Sequence, residues 1–248
     1  MNFDLKRILF ILVVVAFTLQ IFAADTTAQD RGIAYYYNSG GPVMHIITAL
    51  LVIVIILAIV KFIKLSIKEK LDAERFYIKL KGYIKNEQYK EAIKISKTFK
   101  KTTLGYIFWN GLLGFYDSVK HNKPASEQKQ ILQNSFDEAA MQKIPEIDAN
   151  IYWFDIIAQV STLLGLLGTI FGLITAFTGL GDVPESEKNE YLTRGISQAM
   201  ATTAYGLIVA IPTMFVRGLL QGRAERIIND IDEYSVKAIN QISYKIKD

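Results

Sequence analysis

The apolar residues of this chain are gathered into four runs, 8–24, 43–60, 151–180 and 193–216, separated by strongly charged stretches. A run of ~20 apolar residues is what a helix needs to cross a bilayer. Blocking of this kind constrains the fold more than any single motif. The overall balance agrees: 51% of the 248 residues are hydrophobic and the mean hydropathy is +0.22. The expected fold is an all-α membrane protein with three transmembrane helices and a further segment at its start. Cysteine is absent and only His45 and His121 represent histidine, which argues against disulfides, Fe–S clusters and a His/Cys metal site. No cofactor is expected. The formal charge of +4 fits lysines and arginines beside a membrane better than a nucleic-acid surface.

The first run, "ILFILVVVAFTLQIFAA", follows Lys6 and Arg7 and is followed by small residues. Residues 1–28 read either as a secretory signal peptide or as an additional N-terminal helix. Both readings place 29–42 outside the cytoplasm. The run 43–60, "VMHIITALLVIVIILAIV", precedes Lys61, Lys64, Lys68 and Lys70. By the positive-inside rule it enters the cytoplasm there. It lacks a stripe of small residues, so it reads as a peripheral, lipid-facing helix, with His45 at its outer end. Residues 61–150 are charged and spaced for helices, a cytoplasmic helical domain with Ser126 as a candidate N-cap. The second span, 151–180, leaves the cytoplasm. An external loop, 181–192, follows, and the third span, 193–216, returns. Arg217, Arg223 and Arg226 again mark the inside, so 217–248 is a cytoplasmic C-terminal helix.

The last two spans differ in kind from the first. Gly165, Gly168 and Gly172 recur along one face of one, and Gly195, Ala199, Gly206 and Ala210 along one face of the other. Small residues let membrane helices approach closely. A tight hairpin is one outcome and an oligomer around a central space is the other; two such long faces point to the oligomer. Thr162, Thr169, Thr175, Thr202 and Thr203 add hydroxyls, each able to bond back to its own helix. Gln198 is more demanding, because an amide in lipid must find protein or water. Pro212 is a candidate helix break. No carboxylate lies between Ser161 and Gly179 or between Arg194 and Val216.

The stretches "GLLGTIFGLITAF" and "GISQAMATTAYGLIVAIPT" resemble the signature helices of the MotA/TolQ/ExbB proton-channel family, nearest its ExbB branch. The resemblance implies a homopentamer in the bacterial inner membrane whose second and third helices line a pore. It implies two partners. One is an ExbD-like single-span protein whose aspartate carries the proton; the other is a TonB-like protein energised by the motion. It also implies that Thr169 and Thr203 line the pore. Many members carry glutamate where this chain has Gln198, and an amide exchanges no proton. If protons pass, a partner supplies the titrating group, with Thr169, Gln198 and Thr203 offering hydrogen bonds beside it. A TolQ-like envelope unit, a motility motor and a non-conducting scaffold are the alternatives. No phosphate loop, catalytic triad or metal spacing points to an enzyme.

Overall fold

The computed structural model describes residues 41–246, and the segment 1–28, read as signal peptide or extra helix, lies outside them. All regular structure among the described residues is helical. In chain order the helices are α1 (Gly41–Ile63), α2 (Ala73–Lys85), α3 (Tyr89–Thr98), α4 (Thr103–Lys120), α5 (Ala125–Asp148), α6 (Tyr152–Gly179) and α7 (Lys188–Ser243). A π-helical stretch, Lys64–Lys68, continues α1, and a 3-10 turn, Leu180–Asp182, follows α6. The segments carrying α1, α6 and α7 are long and apolar enough to cross a membrane. The described residues divide into two compact units, 41–60 with 150–219, and 61–149 with 220–246.

In the first unit α6 and α7 form an antiparallel hairpin and α1 packs beside α7. Met44 and Ile47 of α1 are buried against Tyr205 and Val209 of α7, with Leu51 and Leu164 alongside. The Thr48 and Tyr205 hydroxyls share a hydrogen bond of 2.9 Å. Ile46, Val52, Ile53, Ile56, Ile59 and Val60 stay exposed. One face of α1 therefore meets protein and the rest presents branched aliphatic side chains suited to lipid.

The second unit is built around an aromatic core. Phe76 of α2, Phe108 of α4 and Phe136 of α5 are buried and meet edge-to-face, with ring centroids 5.5 and 5.4 Å apart. Burying each such side chain contributes about 1.5–3 kcal/mol. Gly111 lets α4 approach α5, since a Cβ there would fall inside the Phe136 ring. Helix ends are satisfied explicitly. The Asp72 carboxylate accepts from the Arg75 N–H at 3.1 Å. Glu69 accepts from the Thr103 N–H at 2.8 Å and from its hydroxyl at 2.9 Å, capping α4 from outside the helix. Such N-terminal acceptors satisfy donors that have no partner within the helix. At the other polarity, Lys61 and Lys64 donate to the last carbonyls of α5, Ile147 at 3.2 Å and Glu146 at 3.1 Å. Cations there also complement the helix dipole.

Three expectations are corrected. Ser126 is not the cap of α5: Pro124 holds that position and Ser126 lies inside the first turn. Proline's fixed φ leads the chain into a helix without a side-chain acceptor. Pro212 does not break its helix; α7 runs through it. Proline removes one backbone donor, but the Thr213 hydroxyl donates to the Val209 carbonyl at 2.7 Å, and Ala210, Thr213 and Val216 are buried on either side. Packing on both flanks holds the turn that the missing bond weakens. The C-terminal 217–248 stretch is not a separate helix but the continuation of α7 to Ser243. Gly218 and Gly222 cost helix propensity, but only ~1 kcal/mol each.

Candidate functional site

The small residues of α6 and α7 face one another along the hairpin seam. A Cβ on Gly206 would sit 2.6 Å from the Ser161 carbonyl oxygen and 3.1 Å from Gly165 Cα. One on Gly165 would be 3.2 Å from the Thr202 carbonyl oxygen, and one on Gly172 would be 2.7 Å from Ala199 Cβ. Gly168 abuts the Thr202 methyl, Gly195 abuts Ala176, and Gly179 abuts the Tyr191 hydroxyl. Ala210 is buried two turns after Thr203. The strips are thus consumed within one chain. This overturns the inference that two such faces exceed the needs of a hairpin. Away from the seam, large apolar side chains such as Leu163, Leu166, Phe171, Phe177, Met200 and Phe215 stay exposed.

The threonines divide into two groups. Thr162, Thr169, Thr175 and Thr202 donate back to their own helices, to Ala158 (3.1 Å), Leu166 (2.6 Å), Phe171 (2.9 Å) and Gln198 (3.3 Å). Thr203 differs. Its hydroxyl donates across the seam to the Gly165 carbonyl at 3.0 Å. That carbonyl is accessible because neither Gly165 nor Gly206 has a side chain. Thr169 lies one turn further along α6. The sequence could place Thr203 on a face, but not reveal that its partner was backbone of the other helix.

Gln198 points elsewhere. It precedes Thr203 by five residues, which sets the two about 140° apart around the helix. It precedes Tyr205, the α1-facing residue, by seven, which returns it to that side. There it lines a cavity of about 410 Å³ with Pro42 and Val43 of α1, Gly168, Phe171 and Thr175 of α6, and Arg194 of α7. Neither Thr169 nor Thr203 lines this cavity. Within one chain the structure therefore associates Thr203 with the turn before Thr169 and sets Gln198 apart from both.

At the opposite end of the hairpin, Arg217 Nε lies 3.0 Å from Asp155 Oδ2, with the two side chains 41% and 49% exposed. A pair so open to its surroundings is worth ~0–1 kcal/mol. It lies where α7 passes the start of α6. The sequence marks Arg217 as an orientation signal but gives no means of pairing it with Asp155. Beside Asp155 an open groove of about 380 Å³ is lined by Gln159, Thr162, Leu163 and Met214. Among the described residues no group of three or more His, Cys, Asp and Glu side chains is placed to hold a metal ion.

These features define a class: an all-helical membrane subunit with three candidate spans, a glycine-sealed hairpin, and hydroxyls rather than carboxylates at membrane depth. Residues 100–233, more than half of the chain, match the MotA/TolQ/ExbB proton channel family, and the chain belongs to that family. Curated relatives carry both of the latter names. The chain is 38% identical over 85 residues to the biopolymer transport protein exbB1 of Vibrio cholerae, a match covering 34% of this chain and 37% of that protein. It is 37% identical over 81 residues to the putative biopolymer transport protein ExbB-like 3 of Synechocystis, covering 32% and 39%. It is 30% identical over 101 residues to the Tol-Pal system protein TolQ of Haemophilus influenzae, covering 39% and 44%. The chain thus spans well under half the length of these relatives.

Proposed function

We propose that this chain is the inner-membrane subunit of a proton-motive-force-driven motor. In this reading it forms a homopentamer around ExbD-like single-span helices and energises a TonB-like protein for outer-membrane transport. The carrying observation is the chemistry of the hairpin. It offers Thr169 and Thr203, and no carboxylate between Ser161 and Gly179 or between Arg194 and Val216. A wall of this kind can hold water or donate hydrogen bonds to a carboxylate, but cannot itself carry a proton. The titrating acid belongs to the partner. The topology follows the charge distribution, with 29–42 and 181–192 periplasmic and 61–150 and 217–248 cytoplasmic.

Gln198 takes a different part from the two threonines. On the α1 side of the hairpin it holds helices in register rather than meeting the moving partner. The test is energised uptake in cells carrying Thr169→Ala, with pentamer assembly measured in the same membranes. Loss of uptake with assembly intact is the expected result, and normal uptake would sink the proposal.

The relative named TolQ favours a second reading, a unit of a Tol-Pal-type envelope system. Deleting the gene separates the two. An envelope role gives constriction and outer-membrane leakage defects. A transport role gives slow growth only where a scarce outer-membrane substrate limits.

A further inference from the structure

The cavity of about 410 Å³ between α1 and the hairpin is a slot with two unlike ends. On α7 its wall steps from Tyr191 and Arg194 through Gln198 to Thr202. At about 1.5 Å of rise per residue this is about 16 Å, the depth of about one leaflet of a ~30 Å hydrocarbon core. Val43 of α1 and Phe171 of α6 line its sides, and Gly172 and Ala199 leave its floor recessed. Among the described residues that line it, Arg194 alone is charged. That guanidinium sits at the end where α6 hands over to α7. Mostly apolar walls with a few polar groups at one end are what an amphiphile needs.

A second cavity, of about 380 Å³, shares Tyr191 and Arg194 with the first and is lined further out by Asp182, Glu187 and Glu190. Arg194 Nη2 lies 3.4 Å from Glu190 Oε1. Glu185 is taken by Lys188 at 2.7 Å. Asp182 and Glu187 are exposed and form no ion pair among the described residues. Three carboxylates against one guanidinium repel a purely anionic head group. The chemistry therefore runs in a fixed order: apolar slot, then a cation, then carboxylates.

We propose that the two cavities form one binding site for an amine-headed phospholipid, taken from the leaflet on the side of the α6–α7 turn. An acyl chain fills the slot. The phosphate sits on Arg194, whose forked donors suit it. The ammonium lies among Asp182, Glu187 and Glu190. Gln198 lines the slot one turn further in than Arg194, at the depth of the ester carbonyls. The site requires α1, α6 and α7 to span a bilayer, and it goes beyond the motor reading without depending on it.

The full chain with its partners is placed in vesicles of equal parts dioleoyl phosphatidylethanolamine, phosphatidylglycerol and phosphatidylcholine. It is then extracted in mild detergent, and the lipid retained after gel filtration is identified by mass spectrometry. The ethanolamine lipid is expected to exceed each of the others by roughly fivefold or more, the scale of one added charge contact. Asp182→Asn combined with Glu187→Gln should bring the glycerol lipid level with it. Arg194→Gln should lose retention of all three. Glu185→Gln, which lines neither cavity, should keep the preference of the parent. The acidic double variant changes only exposed positions, so it tests the site even where Arg194→Gln does not assemble. Equal retention of the three lipids by the parent would overturn the proposal, as would a preference that survives in the double variant. Release of the bound lipid by millimolar phosphoethanolamine, which has no acyl chain, would also overturn it. Normal uptake in Thr169→Ala would sink the motor reading and leave this lipid result standing.

Discussion

Thr203 shows how much one hydroxyl can be asked to do. Its bond to the Gly165 carbonyl crosses the seam at 3.0 Å, so replacing it tests packing and chemistry together. Thr203→Ser keeps the donor, and Thr203→Val keeps the shape. If the hydroxyl matters for proton passage or for the cross-seam bond, serine retains uptake and valine loses it. A thermal melt of the purified complex then separates the causes. A net loss of about 0.5–1.5 kcal/mol is the scale of one hydrogen bond. Loss of uptake with an unchanged melt assigns the hydroxyl to function. Gln198 offers the opposite case. On the cavity side of α7, Gln198→Ala is expected to lower stability more than uptake, measured as a drop in melting temperature with transport at least half that of the parent. Both residues were visible in the sequence as polar groups in apolar helices. Their different surroundings were not, because spacing along a helix gives an azimuth and not the identity of what is met there.

At the scale of helices, the seam is the most rigid statement the chain makes. Gly206 approaches backbone atoms, which cannot rotate away as a side-chain tip can. Gly206→Val is expected to force α6 and α7 apart at a cost of at least about 1–3 kcal/mol, read as loss of the assembled complex in mild detergent. Gly218→Ala meets nothing within 4 Å and is expected to be neutral or slightly stabilising. The three spans were legible from apolar runs and flanking lysines, but the helix carrying the third runs from Lys188 to Ser243, well past the 193–216 expected. The unbroken passage of α7 through Pro212 was not legible. Proline and glycine punctuate a sequence reliably only where tertiary packing does not hold the helix together. The four helices between the first two spans were readable as helical but not as an aromatic core, since Phe76, Phe108 and Phe136 are far apart in sequence.

For the molecule as a whole, the second unit carries a pH signature of its own. Burial, then the neighbouring Glu233, holds the Asp230 carboxyl above the ordinary aspartate range, against the pull of Arg223 and Arg226. The folded chain therefore binds that proton more tightly than the unfolded one. The stability this contributes is complete below the unfolded value of ~3.9 and is lost as pH rises through the raised one. Asp230→Asn should melt higher than the parent at pH 7, with the gap closing toward pH 4. A gap that widens on acidification would contradict the assignment. Lys61 and Lys64 carry a last consequence. The same two ammonium groups from which the positive-inside rule orients the first span also close the carboxyl end of α5. The orientation code and the folding code are written in shared letters. Replacing both lysines to invert the protein would also uncap α5, so an inverted chain and an unfolded one would look alike to a reporter fused at either terminus.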